Sequence, residues 1–442
     1  MNSESLKEKI KVYLDKYAAD LRKAEVSVDK NFQIIVVIPA IAEFDNIKIL
    51  LNSLAVSDPE YYPQTLFLFV VNNSPACSTD VKENNYKTIE LLHQLLSGSS
   101  SDLLMKKIHD SGMNIGLIDA SSPGKELPEK YAGVGLARKT GMDSAALLFN
   151  TDTSRKQILI SLDADCTVSG NYITAVADHF NKNNLSAANI TYRHPLKGNE
   201  EEQKAIICYE IFLRYYVLGL KYAGSPYAFQ TVGSAMACDL QSYIKAEGMN
   251  KRKAAEDFYF LQKLSKVTYL ELIKSAIVYP GGRKSWRVPF GTGQRVTRFL
   301  TRVQNEYLLY NPDIFEILKD WCGYYYSTSD DSVETYIRTA GNIHSELLNF
   351  LKQKNFEQSL SRIISNSPEI NQFKKQKQKL FDGFLTLKLV HHLRDKAFPQ
   401  AEMFPALGVL LDKFNLNRVE NSNKFPSVET QFRYLNILRE LE

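Results

Sequence analysis

The sequence has 442 residues, of which 44% are hydrophobic and 24% are charged, an ordinary composition for a soluble globular protein. This length is enough for two or three domains with a large core. The formal net charge is +4, from 54 basic and 50 acidic residues. Such a small and scattered excess argues against a nucleic-acid partner.

The cysteines and the apolar segments bear on the cellular compartment. The five cysteines are far apart and include no Cys-x-x-Cys pair, which argues against a disulfide framework and a cysteine-rich zinc site. The first 30 residues carry charges throughout and lack the apolar core of a signal peptide. Residues 205–220 come nearest to the ~18–20 apolar residues of a spanning helix, but Glu210 and Arg214 interrupt them. We expect a cytoplasmic, soluble protein, and peripheral membrane contact stays open.

The first half of the chain alternates strands and helices. Leu6, Ile10 and Leu14 recur at helical spacing within residues 2–22, and we interpret residues 1–30 as an N-terminal helical extension. The run Ile34–Ile38 is typical of a strand buried on both faces, and we expect Pro39 to end it. We also predict strands at 66–71 and 157–162, and helices at 43–54, 86–96 and 133–149.

The alternation predicts an α/β fold with a doubly wound, Rossmann-like sheet flanked by helices. We predict further helices at 172–181, 201–222, 239–247 and 256–266, and strands at 187–192 and 268–278. After about residue 296 the β-branched runs vanish, and apolar residues recur at helical spacing. This change predicts a helical C-terminal region over residues 296–442.

Polar side chains follow three of the predicted strands. In doubly wound sheets, ligands bind beyond the carboxyl ends of the strands, and Pro39, Asn72 and Asn73 all fall there. Asp163 and Asp165 follow the third strand, and two carboxylates one residue apart can share a divalent cation that neutralises a phosphorylated ligand. A turn carboxylate or a helix N-cap is the alternative for an isolated Asp-x-Asp pair.

Three further segments carry residues suited to chemistry, and each has a purely structural alternative. Arg138 follows two glycines at the start of a helix and offers a fork of donors to phosphate or carboxylate. Glu256 and Asp257 head an apolar helix, where they are either favourable partners of the helix dipole or a general base for an acceptor hydroxyl. Arg283 and Arg287 lie in a glycine-rich segment that suits closure over a diphosphate, or is an exposed basic turn.

The order of these motifs resembles the inverting nucleotide-sugar glycosyltransferases of family 2, which have the GT-A fold. The resemblance covers about residues 33–295, and its motifs are Pro39-x-x-x-Glu43, Val71-Asn72-Asn73, Gly133-x-Gly135-x-Ala137-Arg138, Asp163-x-Asp165 and Glu256-Asp257. Ala42 stands where the family usually has Asn before Glu43. The Gln-x-x-Arg-Trp signature of processive synthases is absent, which argues against a processive, membrane-embedded enzyme.

The resemblance implies a GT-A domain over residues 31–295 and a hexosyltransferase-type activity in glycan or polysaccharide biosynthesis. It implies a UDP- or GDP-type sugar donor, a saccharide or lipid-linked acceptor, and Mn²⁺ or Mg²⁺ as the cofactor. The resemblance leaves open whether the protein forms a homodimer. The resemblance also implies a role for each candidate residue. The nucleoside pocket would be lined by Pro39, Ala40, Glu43, Asn72 and Asn73, with Arg138 in support.

The remaining roles that the resemblance implies concern the metal and the reaction. Asp163 would face the ribose or a metal-bound water, and Asp165 would be the metal ligand. Asp257 would be the general base, with Glu256 orienting it, and Arg283 and Arg287 would contact the departing diphosphate.

Two other functions stay open. A sugar-phosphate nucleotidyltransferase shares the sheet and the metal-binding carboxylates, but it would normally carry a glycine-rich loop with a basic residue after the first strand. The segment from Pro39 to Glu43 has neither glycine nor a basic residue. A non-catalytic sugar-binding relative would keep the fold, and the presence of Asp163, Asp165 and Asp257 opposes it.

Overall fold

A computed structural model describes residues 3–18, 20–28, 30–98, 102–282, 291–328, 332–367, 369–416 and 425–442. The described residues form two compact units, one from residues within 1–195 and 231–282, the other from residues within 196–230 and 291–442. The strands are β1 (Glu25–Val26), β2 (Ile34–Ala40), β3 (Thr65–Asn72), β4 (Asn114–Ala120), β5 (Ile158–Ser161), β6 (Thr167–Val168), β7 (Ala187–Tyr192), β8 (Met236–Asp239), β9 (Glu271–Tyr279), β10 (Leu308–Leu309) and β11 (Ala401–Glu402).

The helices of the first unit are α1 (Ser3–Tyr17), α2 (Phe44–Ala55), α3 (Thr79–Ser97), α4 (Leu103–Asp110), α5 (Val134–Ala145), α6 (Tyr172–Lys182), α8 (Leu240–Lys245) and α9 (Glu256–Ser265). Those of the second unit are α7 (Glu200–Tyr222), α10 (Thr292–Thr301), α11 (Asp313–Ser327), α12 (Val333–Ile343), α13 (Ser345–Gln353), α14 (Phe356–Asn366), α15 (Ile370–Leu380), α16 (Gly383–Lys396), α17 (Met403–Asp412) and α18 (Val428–Glu440).

In the first unit, nine of the described strands form one mixed sheet in the order β1-β4-β3-β2-β5-β8-β7-β9-β6. The four strands β4, β3, β2 and β5 are parallel, whereas β8 runs antiparallel between β5 and β7. Every residue of β2 and β3 is buried, as their β-branched and aromatic composition predicts. The predicted mixed α/β sheet flanked by helices is confirmed.

The ends of the parallel strands define the edge at which the polar residues gather. Contrary to our expectation, Pro39 does not end β2, which continues to Ala40 with Pro39 opposite Val70 of β3. The pairing of β2 with β5 ends at Val37 opposite Ser161, so Pro39 lies beyond that ladder. A proline, which cannot donate a backbone hydrogen bond, is tolerated at such a place.

Helix α1 is joined to the core of the first unit through buried polar groups. The hydroxyls of Tyr13 and Tyr243 both donate to Oδ1 of Asp143 on α5, at 2.6 and 2.7 Å. The Lys139 ammonium lies 3.0 Å from the other carboxylate oxygen of Asp143. A methyl group at Gly248 would lie 1.9 Å from the Tyr13 hydroxyl oxygen, so the glycine leaves the space that this hydroxyl fills.

The second unit is helical, as predicted for the C-terminal region, but it also takes in α7. The charges that interrupt the apolar stretch of α7 are buried and paired with one another. Arg214 donates to Glu210 at 2.9 Å, and Arg439 of α18 donates to the same carboxylate at 2.7 Å. Buried charges are tolerated when they are paired and hydrogen-bonded. None of the helices within the described residues is long and apolar enough to cross a membrane.

Candidate functional site

Helix α5 lies directly on the parallel strands because small residues face the sheet. A methyl group at Gly141 would lie 2.4 Å from Val37 Cγ1 and 2.7 Å from Val70 Cγ2, so only a glycine fits there. All residues from Gly135 to Ala145 are buried as a result. This close packing brings the charged side chain of Arg138 into the interior, where it needs partners of opposite charge.

Arg138 finds these partners on two different elements. Its Nη2 atom donates to Oδ1 of Asp163, which follows β5, and its Nη1 atom donates to Oε1 of Glu256 at the start of α9. The side chains of Arg138 and Glu256 are almost fully buried, whereas 35% of the Asp163 side chain is exposed. Arg138 therefore links a partly exposed carboxylate that follows β5 to a buried carboxylate at the start of α9.

The backbone of Gly233, just before β8, completes this arrangement. A methyl group at position 233 would lie 2.6 Å from Nη1, 2.7 Å from Nη2 and 2.8 Å from Cζ of Arg138. The backbone N–H of Gly233 also hydrogen-bonds to Asp257, the residue after Glu256. We refer to Arg138, Asp163, Gly233, Glu256 and Asp257 as the Arg138 cluster.

The charges in the Arg138 cluster are unbalanced, because three carboxylates face one guanidinium. Burial raises the pKa of Glu256 to about 7. The positive charge of Arg138 opposes this rise, and the negative charge of Asp257 adds to it. Burial also raises the pKa of Asp257, opposed by Arg138 and by the N–H groups of Phe258 and Gly233. Burial alone would lower the pKa of Arg138, but the carboxylates raise it. Both carboxyls at the start of α9 therefore keep their protons to a higher pH than ordinary carboxyls do.

Asp257 lies in the first turn of α9, and its residue is only partly buried. The N-cap of this helix, Ala255, has a left-handed backbone with φ of 56°. The Phe258 N–H donates to Oδ1 of Asp257 at 2.7 Å. An ionisable group with a raised pKa, fixed by backbone donors and partly accessible, has the properties of a general base.

Asp165 lies against the backbone of Gly281, where a methyl group would be 2.9 Å from its Oδ2 atom. In the described part of the chain, no three His, Cys, Asp or Glu side chains are grouped as a metal site. The carboxylate oxygens of Asp163 and Asp165 are nevertheless the hard donors that Mg²⁺ and Mn²⁺ take. Mg²⁺ commonly binds through one or two carboxylates together with substrate phosphates. The two aspartates fit a cation of that kind.

A second group of polar residues lies at the ends of β2 and β3. The Asn72 amide donates to the Ala40 carbonyl at 3.0 Å, which ties the two strand ends together. Asn85, on α3, donates to the Asn72 carbonyl at 3.0 Å and to Oδ1 of Asn73 at 2.9 Å. It also accepts from the N–H of Ala42 at 2.8 Å. Asn85 therefore fixes the turn that follows β2.

Ala42 in that turn has φ of 53°, an uncommon backbone for a residue other than glycine, asparagine or aspartate. Glu43 follows it with a buried side chain that accepts from the Asn46 amide at 2.5 Å. A strained turn that is fixed by surrounding hydrogen bonds is typical of a ligand-contacting loop. We did not predict Asn85 from the sequence. The adjacent pair Asn84-Asn85 within a helix that also buries Val81 and Ile89 is the signal that could have identified it.

The structure thus groups most of the predicted site residues in two sets. The Arg138 cluster contains Arg138, Asp163 and the predicted catalytic residues Glu256 and Asp257, and Asp165 lies apart from both sets, against Gly281. Pro39, Ala40, Glu43, Asn72 and Asn73 lie at the ends of β2 and β3. Because β2, β3 and β5 are parallel, their carboxyl ends share one edge of the sheet. The predicted diphosphate contacts Arg283 and Arg287 lie outside the described residues.

Comparison with known proteins gives only distant similarities. The sequence matches no protein-family profile and no curated protein. The structure of S. aureus TarS 1-349 in complex with UDP-GlcNAc matches 78% of this chain and 91% of its own, at 11% identity and a TM-score of 0.40. The mannosyltransferase PcManGT from Pyrobaculum calidifontis, in complex with GDP-Man and Mn²⁺, matches 89% of this chain and 95% of its own, at 11% identity and a TM-score of 0.37.

The glucosyl-3-phosphoglycerate synthase of M. tuberculosis matches 70% of this chain and 88% of its own, at 14% identity and a TM-score of 0.31. Similarities at these identities and TM-scores assign neither a substrate nor a reaction to this chain. The basis for a functional proposal is therefore the arrangement of the residues in the Arg138 cluster and at the ends of β2 and β3.

Proposed function

We propose that this protein is a metal-dependent, inverting glycosyltransferase of the hexosyltransferase type. It moves a sugar from a nucleotide-diphosphate donor to an acceptor hydroxyl, in glycan or polysaccharide biosynthesis. The observation that supports this proposal most is the position of Arg138, which joins Asp163 at the sheet edge to Glu256 beside Asp257. Asp163, the carboxylate assigned to the donor, is thereby held in a fixed arrangement with Glu256 and Asp257, the carboxylates assigned to the acceptor.

The donor nucleoside is assigned to the ends of β2 and β3. Asn72, Asn73 and the fixed turn at Ala42 offer backbone and amide groups of the kind that read the edge of a base. Asp163, with its partly exposed carboxylate, is assigned to the ribose or to a metal-bound water. Asp165, with Asp163, would hold Mn²⁺ or Mg²⁺, which when bound supplies positive charge to the phosphate oxygens.

In the proposed reaction, the acceptor oxygen bonds to the anomeric carbon from the side opposite the diphosphate. The bond from that carbon to the phosphate oxygen breaks, and its electron pair leaves with the nucleoside diphosphate. Asp257 accepts the proton that the acceptor hydroxyl loses. Glu256, paired with Arg138, holds the first turn of α9 in place. Arg283 and Arg287 are proposed to contact the departing diphosphate.

A panel of nucleotide sugars, with and without Mn²⁺, tests the function. UDP-GlcNAc and GDP-Man are suitable first donors, and the readouts are nucleotide release and nucleotide binding by calorimetry. We expect metal-dependent binding of one nucleotide class and slow donor hydrolysis in the absence of an acceptor. Failure of every donor to hydrolyse, together with no metal-dependent binding, would refute a transferase. Release of pyrophosphate from a nucleoside triphosphate and a sugar phosphate would instead identify a nucleotidyltransferase.

A further inference from the structure

A surface with cations and aromatic rings lies beside the Arg138 cluster and has no part in the chemistry described above. We call it the basic-aromatic surface, and it consists of Lys130, Tyr131, Lys251, Arg252, Lys253 and Tyr259. All four cations of this surface are exposed, and Tyr131 is 38% exposed. An exposed aromatic ring among exposed cations is a surface that a ligand could use.

The cations are arranged around the two rings. The ammonium nitrogens of Lys130 and Lys251 lie 5.1 and 5.4 Å from the centre of the Tyr131 ring. The guanidinium carbon of Arg252 lies 3.7 Å from the centre of the Tyr259 ring. Cation–π contacts of this kind hold long, flexible side chains near one position at an exposed site. The surface therefore presents aromatic rings and positive charges together.

The backbone fixes this surface against the start of α5. A methyl group at Gly135 would lie 2.1 Å from the carbonyl oxygen of Arg252 and 3.0 Å from Cβ of Glu256. Lys253 donates to the carbonyl of Glu129 at 3.1 Å, and its Cα lies 3.2 Å from where a methyl at Gly133 would be. The segment with Arg252 and Lys253 is thus in close contact with the same helix that carries Arg138.

The positive charge of the surface is not neutralised locally. Across the described ranges, Lys130, Lys251, Arg252 and Lys253 form no salt bridge with a carboxylate. The acidic residue beside them, Glu129, gives its backbone carbonyl to Lys253, and its carboxylate accepts from the Ala76 N–H at 3.4 Å. Uncompensated charge at a fixed surface attracts ligands of the opposite sign.

The position of the surface relates it to the proposed general base. Arg252 precedes Glu256 by four residues, and Tyr259 lies on the first turns of α9 after Asp257. Lys251, Arg252 and Lys253 thus lead directly into the helical turn that carries Asp257, and the Arg252 carbonyl and Glu256 Cβ both lie against Gly135. We propose that the basic-aromatic surface binds the acceptor and that the acceptor is an anionic saccharide, carrying phosphate, sulfate or carboxylate groups. This inference rests on the proposed glycosyltransferase function.

Aromatic rings and cations together suit an anionic saccharide. Sugars stack their apolar faces on aromatic rings, and their charged substituents pair with lysine and arginine. A neutral saccharide would use the rings but not the cations. A nucleic acid could use both, and the small net charge of the whole chain, +4, disfavours that partner.

Direct binding to matched probes tests the surface without any turnover. The probes are a short dextran sulfate, a neutral dextran of the same length, an oligogalacturonate and a single-stranded RNA of similar charge, each measured by calorimetry at fixed salt. We expect the dextran sulfate to bind at least about tenfold more tightly than neutral dextran, since several cations contribute. The oligogalacturonate arm separates carboxylate recognition from recognition of sulfate-like or phosphate-like groups.

Two variants with the same loss of charge locate the binding. The triple variant Lys251→Gln, Arg252→Gln and Lys253→Gln removes three cations from the surface. The control variant Lys374→Gln, Lys375→Gln and Lys379→Gln removes three exposed cations from α15. We expect the first to weaken dextran sulfate binding by about tenfold or more and the second by less than about twofold. Circular dichroism and thermal unfolding confirm that both variants fold.

The aromatic contribution has its own variant, Tyr131→Ser, which keeps every cation. It should weaken dextran sulfate binding severalfold while leaving the salt dependence of that binding unchanged, because the number of ionic contacts is the same. An unchanged affinity would remove the ring from the proposal.

Several outcomes would overturn the proposal that this surface binds an anionic acceptor. They are equal binding of neutral dextran, an equal loss in both triple variants, or tighter binding of the RNA than of the dextran sulfate. The proposed function fails by a different observation, namely that no nucleotide sugar is bound or hydrolysed while dextran sulfate still binds at this surface. Transfer to neutral acceptors and not to anionic ones would overturn the proposed role of this surface and leave the proposed glycosyltransferase function intact.

Discussion

Arg138 and Gly233 are in such close contact that a methyl group at position 233 would lie 2.6 Å from Nη1 of the arginine. The guanidinium is bounded on one side by this backbone and on the other by Asp163 and Glu256. It has no room to move away, because the helix that carries it is buried from Gly135 to Ala145. The position of Arg138 is therefore set by the fold and does not depend on a ligand.

Replacing Gly233 by alanine should displace Arg138 and disturb the carboxylates around it. We expect the transfer rate to fall by about tenfold or more and stability to fall by about 1–3 kcal/mol, since the added methyl overpacks a buried site. Steady-state kinetics and urea unfolding measure the two effects. Gly170→Ala is the control, because a methyl there meets no atom within 4 Å. Wild-type kinetics in the Gly233→Ala variant would contradict a role for the arginine's position.

The raised pKa of Glu256 predicts a stability that falls as the pH rises. The folded carboxyl has a pKa of about 7 against an ordinary value of 4.5, so between these pH values the folded state binds more protons than the unfolded state. The free energy of unfolding therefore decreases with pH across this window, by on the order of 1–3 kcal/mol in total. Urea unfolding of the wild type at pH 5 and pH 8 measures it.

The variant Glu256→Gln isolates the contribution of this group. It removes the titration, and its other effects on packing apply equally at both pH values. We expect it to lose clearly less stability between pH 5 and pH 8 than the wild type does. The same loss in both proteins would show that Glu256 does not hold a proton in the folded state.

Asp257→Asn should separate binding from chemistry. We expect nucleotide affinity to change by less than about threefold and transfer to fall by about 10²–10⁴-fold, the usual contribution of a general base. Asp110→Asn, which removes a carboxylate at the end of α4, is the control for a loss of charge. Transfer near the wild-type rate in Asp257→Asn would make the assignment of the base wrong.

Asp165→Asn tests the metal directly. If Asp165 binds the cation, the Mn²⁺ concentration needed for half-maximal nucleotide binding should rise by about tenfold or more. Chelation with EDTA should abolish nucleotide binding in the wild type, and added Mn²⁺ should restore it. A variant with an unchanged Mn²⁺ requirement would place the cation elsewhere, and calorimetry with Mn²⁺ alone would show whether any site remains.

Tyr13→Phe tests the buried attachment of α1. The substitution leaves Asp143 with the hydroxyl of Tyr243 and the ammonium of Lys139, one hydrogen bond fewer than before. Losing a hydrogen bond to a buried charge should lower the free energy of unfolding by about 1–3 kcal/mol. Tyr17→Phe removes the exposed bond to Glu247 and should cost about 0.5 kcal/mol or less. Equal effects of the two variants would contradict the buried role of Tyr13.

The sequence predicted the fold best where composition alone decides the structure. The runs that became β2, β3 and β5 are buried on both faces, and their apolar residues indicated strands directly. We did not predict β4, in which Gly116 and Asp119 interrupt the apolar pattern, or β8, which has only four residues. Such strands depend on pairing with neighbours that are distant in sequence, as β8 does with β5 and β7.

The sequence predicted which residues lie in the candidate site better than it predicted which of their side chains contact one another. The sequence indicated Arg138 as a binding residue at the start of a helix, but its partner Glu256 lies 118 residues away. Their pairing follows from two close approaches of α5, to the sheet at Gly141 and to Arg252 and Glu256 at Gly135. Asn85 was missed for a related reason, since a buried asparagine shows its role only through the groups it bonds.

The contact between Tyr13 and Gly248 has a consequence for natural variation at these two positions. The hydroxyl of Tyr13 occupies the volume that any side chain at 248 would need, and Gly248 has φ of 67°, which favours glycine in any case. Among sequences descended from a common ancestor, a larger residue at 248 should therefore occur only where position 13 is smaller. Helix α1 should then be inherited together with the rest of the first unit, and chimeras that exchange it between distant relatives should fold poorly.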